Sequence, residues 1–335
     1  MAVTLELEVQ SLRLAAPFRI SGYVFESSDA VVVTLHDGIH RGRGEASGVY
    51  YTGDNVSSMI AQIGVVRFAI EGGADRHQLR KLLPPGGARN ALDCAMWELE
   101  AARTGRPVWE LAGVGEPRAL RTTFTLGADE PATMAQGAAK YADARSIKIK
   151  LTGELDLDIA RVAAIRKARP DAWLGVDGNQ GFTREQLPRL TAALVEYKVS
   201  LLEQPLKRGA EAELEGFKSP IPIAADESIL SLDELDRAPG RFDVVNIKLD
   251  KCGGLTEGLM IAREARKLGL GVMVGNMVGT SLAMAPAFVL GQECDLVDLD
   301  GPTFLARDRS PSVQYRDGDI FAGPEVWGTP ATAIA

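Results

Sequence analysis

The sequence predicts an α/β protein in which an α+β N-terminal domain precedes a barrel of parallel βα units. From about residue 121, short β-type runs alternate with longer helical stretches such as DIARVAAIRKA (158–168), at a roughly constant spacing. Charged residues recur at the ends of the short runs, in step with this repeat. The strand candidates are TTFTL (122–126), SIKIK (146–150), WLGVD (173–177), VSLLE (199–203), IPIAAD (221–226), DVVNIK (243–248), LGVMVG (270–275) and DLVDLD (295–300).

Strand candidates separated by helices in this way predict a (β/α)₈ barrel, or a barrel that has lost one helix. Thr183-Arg-Glu-Gln186 has the pattern of a capping box and is expected to open the helix after the third strand. The tail beyond about 312 contains no further βα unit and is expected to return to the first domain. We therefore place the barrel at 116–312 and the first domain at 1–115, with a contribution from about 313–335.

The first domain reads as strands followed by helices. A β-branched run, AVVVTL, precedes helical stretches at 56–70 and 88–104. In the second stretch Leu92, Met96 and Leu99 have the i, i+4, i+7 spacing of one helix face. This order of elements is typical of an α+β domain.

Composition and charge exclude several classes of function. A hydrophobic content of 46% and a charged content of 24% are ordinary for a globular enzyme. The net charge of −8 disfavours nucleic acid or an anionic membrane as a partner. The first ten residues, MAVTLELEVQ, do not resemble a signal peptide, and three well-separated cysteines indicate a reduced, cytoplasmic protein. All three histidines, the last at position 77, precede the barrel, so a histidine-ligated zinc site is not expected there.

Charged residues at the strand ends are the feature that indicates chemistry. Charges are rarely buried unless they are paired or bind a metal, and the carboxyl ends of barrel strands form the active-site face. Three carboxylates from adjacent strands would supply the oxygen ligands that suit Mg²⁺. The strand-end residues are Lys148, Lys150, Asp177, Glu203, Asp226, Lys248, Asp298 and Asp300.

The lysines indicate proton transfer. Alternation along a strand places Lys148 and Lys150 on the same face, and Lys248 comes from a strand across the barrel. A divalent cation and a second ammonium group disfavour a protonated lysine, which favours its use as a base. A metal between such lysines would hold a substrate carboxylate while the α-proton is removed.

Each of these features has a simpler explanation when taken alone. The Lys-Ile-Lys run is explained by an edge strand in solvent, and a strand-end acid by capping of the next helix. Lys248 alone is explained as a surface charge. The simpler explanations weaken together, because surface charges have no reason to recur in register with the βα repeat.

The strand-end motifs resemble those of the enolase superfamily, muconate-lactonising subgroup. Within it the sequence is most similar to the dipeptide epimerases, whose type member acts on L-Ala-D/L-Glu. The resemblance covers essentially the whole chain and implies a (β/α)₇β-type modified TIM barrel with an α+β N-terminal capping domain. The motifs are SIKIK, VDGNQ, LLEQP, AADES, VNIKLDKCGG and VDLDGP.

The resemblance implies a role for each strand-end residue. Asp177, Glu203 and Asp226 would ligate Mg²⁺. Lys150 and Lys248 would be the two catalytic acid/base groups, on opposite sides of the substrate α-carbon. A third catalytic lysine, Lys148, would hold the substrate carboxylate, and the acidic pair Asp298 and Asp300 would bind its N-terminal ammonium group.

Further substrate contacts are implied by position within the family pattern. Loops around 18–28 and 47–54 of the first domain would close over the substrate. The remaining substrate-binding candidates are Thr125, Asn276, Met277, Val278, Arg19 and Tyr23.

The first of these loops departs from the pattern of members that act on acidic dipeptides. Those members carry an arginine later in the loop, whereas PFRISGYVFESSD contains only Arg19. The kind of side chain that the substrate carries is therefore left open. Glu26 or Asp54 would suit a cationic side chain, whereas Tyr23, Phe25 and the tyrosines of the second loop would suit an apolar one. Simple packing of the lid explains the same aromatic residues equally well.

The main hypothesis is a dipeptide epimerase that acts on a small-molecule dipeptide, with a homo-oligomeric state left open. Its alternative is another enzyme of the subgroup, such as an o-succinylbenzoate synthase, an N-acylamino acid racemase or a cycloisomerase. Asp298 and Asp300 discriminate between them, because an ammonium-binding pair is not expected in those enzymes. A scaffold that has lost its activity is disfavoured by the complete set of lysines and carboxylates.

Overall fold

The computed structural model describes residues 3–20 and 23–330. Its first part is a three-stranded antiparallel sheet, in the order β1-β2-β3, packed against helices. These elements are β1 (Thr4–Ile20), β2 (Tyr23–His36), β3 (Arg41–Ala46), α1 (Val56–Glu71), α2 (Arg76–Leu82), α3 (Gly87–Thr104) and α4 (Val108–Ala112).

Local sequence signals set the ends of these helices. Asn55 and Ser58 form a reciprocal capping box at the start of α1, which satisfies backbone N–H groups that have no partner within the helix. Gly105 ends α3 in the left-handed conformation, with φ of 69°. Both helices lie close to the positions predicted for them.

The sheet and α3 approach each other closely through glycines of β3. A Cβ atom on Gly42 would lie 2.0 Å from the carbonyl oxygen of Ala95, and one on Gly44 would lie 2.0 Å from that of Ala91. The absence of a side chain at both positions therefore sets the distance between the strand and the helix.

The second part is an eight-stranded parallel sheet that curves into a nearly closed barrel, as predicted. The strand order is β5 to β12 in sequence. The strands are β5 (Thr123–Leu126), β6 (Ser146–Lys150), β7 (Trp173–Asp177), β8 (Val199–Glu203), β9 (Ile223–Ala225), β10 (Val244–Lys248), β11 (Gly271–Gly275) and β12 (Leu296–Val297). The helices are α5 (Pro131–Lys140), α6 (Leu155–Ala168), α7 (Leu187–Glu196), α8 (Leu249–Cys252), α9 (Leu255–Lys267) and α10 (Ser281–Gly291).

Connections after two of the strands are shorter than a regular βα unit. Short 3₁₀ helices, Glu211–Leu214 and Leu232–Arg237, follow β8 and β9. The last strand is followed by a 3₁₀ turn at Gly301–Phe304 instead of an α-helix. The barrel thus has seven strand–helix units, two of them with a 3₁₀ helix, and a final strand without an α-helix, which confirms the (β/α)₇β description.

Two predicted boundaries differ from the structure. The final strand has only two residues, so Asp298 and Asp300 lie beyond its end. The predicted capping box is half formed: the side chain of Gln186 accepts the N–H of Thr183 at 2.8 Å, but the N–H of Gln186 donates to the carbonyl of Thr183. Residues 183–186 therefore form a turn, and α7 begins after it at Leu187.

Side chains complete the wall between the first and last strands of the barrel. The N–H of Leu299 donates to the hydroxyl of Thr122 at 2.9 Å, and the N–H of Thr125 donates to the carboxylate of Asp300 at 2.6 Å. These bonds satisfy backbone donors that a strand pairing would otherwise use.

Alternation along the strands divides apolar from charged residues. Ile147 and Ile149 point into the core beneath the helices, whereas Lys148 and Lys150 point into the barrel. The bottom of the interior is filled by a small apolar cluster. Its members are Trp173, Leu201, Ala224, Val244, Met273 and Leu296.

The tail contacts both parts of the molecule. Strands β13 (Gln314–Arg316) and β14 (Asp319–Phe321) form a hairpin that pairs with β4 (Leu120–Arg121). Beyond the hairpin, the indole N–H of Trp327 donates to the carbonyl of Arg43 on β3 at 2.9 Å. Within the described part of the chain, no helix is long and apolar enough to cross a bilayer.

Asp250 joins the first domain to the mouth of the barrel. Its carboxylate accepts the N–H groups of Ser47 and Gly48, at 2.9 and 3.0 Å. The carbonyl of Val278, from the next barrel loop, accepts the hydroxyls of Ser28 and Ser47 at 3.2 and 2.8 Å. Loops of the first domain are thereby fixed over the carboxyl ends of the barrel strands.

Substituting Gly44 by alanine is expected to destabilise the protein. The new methyl group has no space against Ala91, and overpacking of this kind lowers the free energy of unfolding by about 3 kcal/mol at the upper end of its usual range.

Gly64→Ala is the control, because this exposed glycine inside α1 has no atom near its Cβ position. This substitution should raise the free energy of unfolding by about 0.5–1 kcal/mol. Urea unfolding of both variants measures the difference, and equal stability would contradict the packing.

The buried carboxyl of Asp250 is expected to make stability fall as the pH rises. Burial raises its pKa from 3.8 to about 7, although the N–H groups of Gly48 and Ser47 act in the opposite direction. At pH values between 3.8 and about 7, folding therefore takes up a proton at Asp250. The contribution of this group to the free energy of unfolding is largest below pH 4 and declines towards pH 7. Asp250→Asn should remove this slope.

Urea unfolding at pH 5 and pH 7 tests this expectation. Between these pH values the wild type should lose on the order of 2 kcal/mol more than Asp250→Asn. Parallel pH profiles for the two proteins would show that Asp250 does not titrate in this range.

Candidate active site

A cavity of about 530 Å³ lies between the barrel mouth and loops of the first domain. A volume of this size is typical of a site for a small molecule. Asp177 and Glu203 are fully buried beneath it. The predicted site residues that line the cavity are Thr125, Lys148, Lys150, Asp226, Lys248, Asn276, Met277, Val278, Asp298 and Asp300.

Three carboxylates meet at the ends of neighbouring strands. Asp177 ends β7, Glu203 ends β8, and Asp226 follows β9 directly. One oxygen from each lies within 4.8 Å of the others, and all three side chains are buried. The parallel strands bring together residues that are more than twenty positions apart in sequence, as the strand-end pattern predicts.

The electrostatics of this triad depend on neighbouring ammonium groups. Burial and the carboxylate of Asp177 raise the pKa of Glu203. Burial also raises the pKa of Asp226, but Lys248 and Lys251 act more strongly, so its pKa lies below the ordinary value. Such a cluster keeps its negative charge only beside cations.

The donor set fits a hard divalent cation. All three groups offer oxygen, as Mg²⁺ prefers. Oε2 of Glu203 is buried and makes no hydrogen bond, although Nζ of Lys148 lies 3.0 Å away in unsuitable geometry. A buried carboxylate oxygen without a hydrogen bond is unfavourable unless a cation completes its environment.

Two lysines flank the triad from opposite sides of the barrel. Nζ of Lys150, on β6, donates to Asp177 at 2.6 Å, and Nζ of Lys248, on β10, donates to Asp226 at 2.7 Å. Burial lowers the pKa of Lys248, but the Asp226 carboxylate outweighs this and raises it. Each of the two ammonium groups is paired with a carboxylate of the triad, and the lowered lysine pKa expected from the sequence depends on the charge of a bound cation.

Lys148 lies deeper than the other two lysines. Its ammonium group donates to Asp298 at 2.5 Å and lies 3.0 Å from Glu203. Burial lowers the pKa of Lys148, but the carboxylates of Asp298, Glu203 and Asp177 raise it well above its usual value. The structure thus places this lysine in an ion-pair network beneath the position expected for a substrate carboxylate.

The acidic pair after β12 faces the triad across the barrel. Asp298 accepts hydrogen bonds from the ammonium group of Lys148 and from the hydroxyl of Thr123. Burial raises the pKa of Asp298, but the charge of Lys148 outweighs this effect, so the pKa lies below its ordinary value. Asp300 accepts the N–H of Thr125, and burial together with the Asp298 charge raises its pKa to about 7. Among the described residues, no cationic side chain forms an ion pair with the Asp300 carboxyl.

Several side chains at this site were not predicted. Nζ of Lys251 donates to Oδ1 of Asp226 at 2.7 Å, and the amide of Asn246 donates to Glu203 at 2.6 Å. The carboxyl of Glu227 lines the cavity with one oxygen unpaired, and burial and Asp226 raise its pKa to about 8. The spacing of Lys248 and Lys251 was a usable signal, since residues three apart lie on one side of a helical turn.

The two candidates from the first capping loop lie outside the cavity lining. Arg19 is exposed, and its carbonyl accepts the N–H of Ala128 at 3.0 Å. The ring of Tyr23 stacks 5.9 Å from Phe25 and lies 4.8 Å from Tyr50. Phe25 and Tyr50 themselves line the cavity.

Comparison with known proteins places this geometry in a family. A model described as "Enolase C-terminal domain-like" matches residues 132–322, and one described as "Mandelate racemase / muconate lactonizing enzyme, N-terminal domain" matches residues 3–113. The L-Ala-D/L-Glu epimerase of Escherichia coli (strain K12) is 40% identical over 95% of this chain and 99% of its own length.

Two solved structures are also similar. An enolase family member from Agrobacterium tumefaciens with homology to dipeptide epimerases, with bound sodium and L-Ala-L-Glu, is 37% identical with a TM-score of 0.93, covering 97% of this chain and 100% of its own. A dipeptide epimerase from Methylococcus capsulatus, complexed with Mg and L-Arg-D-Lys, is 29% identical with a TM-score of 0.89. The match covers 96% of this chain and 97% of that one.

These matches span both parts of the chain, and they agree with the carboxylate triad and opposed lysines at the barrel mouth. The resemblance drawn from the strand-end motifs is confirmed. The chain belongs to the enolase superfamily, with the N- and C-terminal domains of the mandelate racemase and muconate-lactonising enzyme group.

Proposed function

We propose that this protein is a Mg²⁺-dependent dipeptide epimerase, an isomerase that inverts the α-carbon of the C-terminal residue of a dipeptide. The observation that carries the proposal is the placement of Lys150 and Lys248 on opposite sides of one carboxylate triad. Inversion needs a proton removed from one face of a carbon and returned to the other, which two opposed bases supply. The activities named for the Escherichia coli and Methylococcus capsulatus relatives support the same reaction.

The lysines exchange roles with the direction of reaction. One neutral amine accepts the α-proton, and the opposite ammonium group donates a proton to the other face. Asp177 and Asp226 bond to these lysines and hold them at the two sides of the site. Because each lysine is nearly buried, neither exchanges its proton freely with bulk water during the step.

The triad would hold Mg²⁺, with Asp177, Glu203 and Asp226 as ligands. Mg²⁺ held there would supply positive charge beside the substrate carboxylate, where the negative charge of an enediolate would develop as the α-proton leaves. Lys148 adds a fixed ammonium group below the same region and keeps the Glu203 carboxylate charged.

The opposite end of the substrate would meet the acidic pair. Asp300 has no cationic partner in the described residues, and Asp298 shares only Lys148, so a substrate ammonium group would improve the charge balance there. Thr125, Asn276, Met277 and Val278 border this side of the cavity. An N-acylated or hydrocarbon substrate would leave the pair uncompensated, which disfavours the N-acylamino acid racemase, lyase and cycloisomerase alternatives.

Replacing either opposed lysine is expected to abolish epimerisation while leaving half of the reaction. In Lys150→Ala or Lys248→Ala, one face of the carbon loses its base, and epimerisation should fall by roughly 10³-fold. In D₂O each variant should still exchange the α-proton of one epimer of the substrate. Lys140→Ala, at an exposed position on α5, is the control and should match the wild type. Full epimerisation by either single variant would contradict the two-base assignment.

Mg²⁺ is expected to stabilise the protein as well as to activate it. EDTA should remove activity and Mg²⁺ restore it, and at roughly 100 times Kd the ion should add about 2.7 kcal/mol to the free energy of unfolding. Glu203→Gln should lose most of the thermal shift caused by Mg²⁺, whereas Glu196→Gln, an exposed position at the end of α7, should keep it. An undiminished shift in Glu203→Gln would remove this residue from the ligand set.

A further inference from the structure

We infer that the cavity selects a large uncharged, preferably aromatic, side chain on the epimerised residue and discriminates against an acidic one. The inference rests on the proposed function and adds the substrate class. It differs from the substrate for which the Escherichia coli relative is named, L-Ala-D/L-Glu, and from the L-Ala-L-Glu that the Agrobacterium structure holds.

The position of the side chain follows from the fixed ends of the substrate. A carboxylate directed at the triad and an ammonium group directed at Asp300 stretch the dipeptide across the barrel mouth. Lys150 and Lys248 then occupy the two lateral sides of the α-carbon. The floor is closed by Lys148 and its partner Asp298. The side chain must therefore point upward, into the loops of the first domain.

Aromatic rings form that upper surface. Phe25 and Tyr50 line the cavity with their ring centroids 5.3 Å apart, and Tyr51 lies 5.1 Å from Tyr50 in an edge-on arrangement. Phe18 lines the cavity as well and packs 4.6 Å from Phe304. Rings at these distances are suited to hold another apolar or aromatic group.

The same surface offers no cation to an acidic side chain. Among the described residues that line the cavity, the cationic ones are Lys148, Lys150 and Lys248, and each is paired with a carboxylate. No arginine is among them. Glu227 instead brings a further carboxyl with an unpaired oxygen to the cavity. A substrate glutamate would lose its hydration there without gaining a cationic partner among the described residues.

Strand register explains why Arg19 does not supply the missing charge. In the β1–β2 hairpin Phe18 pairs with Phe25, and Arg19 pairs with Val24. Because side chains alternate between the two faces of a strand, the phenylalanines face the cavity and Arg19 shares the outer face with the exposed Val24. Turning Arg19 inward would require a one-residue slip of the hairpin.

Two acids of these loops, Asp29 and Asp54, line the cavity as well, and they add negative charge that disfavours an acidic side chain. Each oxygen of Asp54 accepts one hydrogen bond, from the N–H of Gly87 and from the hydroxyl of Ser58, both at 2.8 Å. Glu26 is exposed and does not line the cavity. Asp29 is exposed to solvent, so an uncharged side chain beside the rings leaves neither loop acid without hydration or a hydrogen-bond donor.

Deuterium incorporation from D₂O, followed by mass spectrometry, tests the inference on four substrates: L-Ala-L-Phe, L-Ala-L-Gln, L-Ala-L-Glu and L-Ala-L-Lys. We expect kcat/KM for L-Ala-L-Phe to exceed that for L-Ala-L-Glu by roughly tenfold or more. The glutamine and glutamate substrates have the same shape, so a higher kcat/KM for glutamine isolates the effect of charge. Highest activity on L-Ala-L-Glu or on L-Ala-L-Lys would overturn the inference and leave the epimerase intact, whereas no incorporation in any dipeptide would overturn both.

A pair of variants locates the discrimination. Phe25→Arg places a cation on the cavity face of β2 and should shift the ratio of kcat/KM for glutamate over phenylalanine by about tenfold or more towards glutamate. Val24→Arg adds the same charge on the outer face and should leave the ratio unchanged. An equal shift in both variants would mean that net charge alone, and not the lining of the cavity, sets the preference.

Discussion

Carboxylates of like charge, buried at the mouth of the barrel, are the constraint to which the rest of the structure is fitted. Oxygens of Asp177, Glu203 and Asp226 lie within 4.8 Å of one another without contact with bulk solvent. Burying even one ionised carboxylate without a partner costs several kcal/mol, so three of them demand compensating cations. The lysines on β6 and β10 supply part of that charge, and the geometry left over is suited to a divalent cation.

The architecture around this cluster can be understood as its support. Apolar residues fill the lower interior, so the charged groups are confined to one layer near the mouth. The segment after β12 closes the wall through Thr122 and Asp300 while also presenting its acids to the cavity. Asp250 and Val278 then hold the loops of the first domain above the same layer. The contacts that hold these loops over the site therefore also join the two parts of the chain.

Local periodicity was sufficient to predict the strands and the convergence of their ends. SIKIK, WLGVD and VSLLE coincide with β6, β7 and β8 to the residue, and each ends on a charged residue at the mouth of the barrel. Which charges pair across the barrel was not predictable in this way. The contact of Lys148 with Asp298 depends on how far β6 and β12 are staggered around the barrel, and that stagger is set by closure of the whole sheet.

The capping loops show the same limit. Their aromatic composition was apparent from the sequence, but the outward position of Arg19 follows from a pairing of β1 with β2 that shifts register between Arg13 and Phe18. Such an irregularity reverses which residues face the cavity, and no local signal in the sequence marks it.

The two lysine sites are not electrically equivalent. Asp226 bonds to Lys248 through one oxygen and to Lys251 through the other, so it keeps an ammonium partner when Lys248 turns towards a substrate. Asp177 receives Lys150 on one oxygen and only the backbone N–H of Asn179 on the other. Removing a proton from Lys248 therefore relieves repulsion with a fixed neighbouring cation, whereas removing one from Lys150 leaves Asp177 with only the more distant ammonium group of Lys148, 3.7 Å away. A reaction that runs in both directions through these lysines thus starts from two different local charge states.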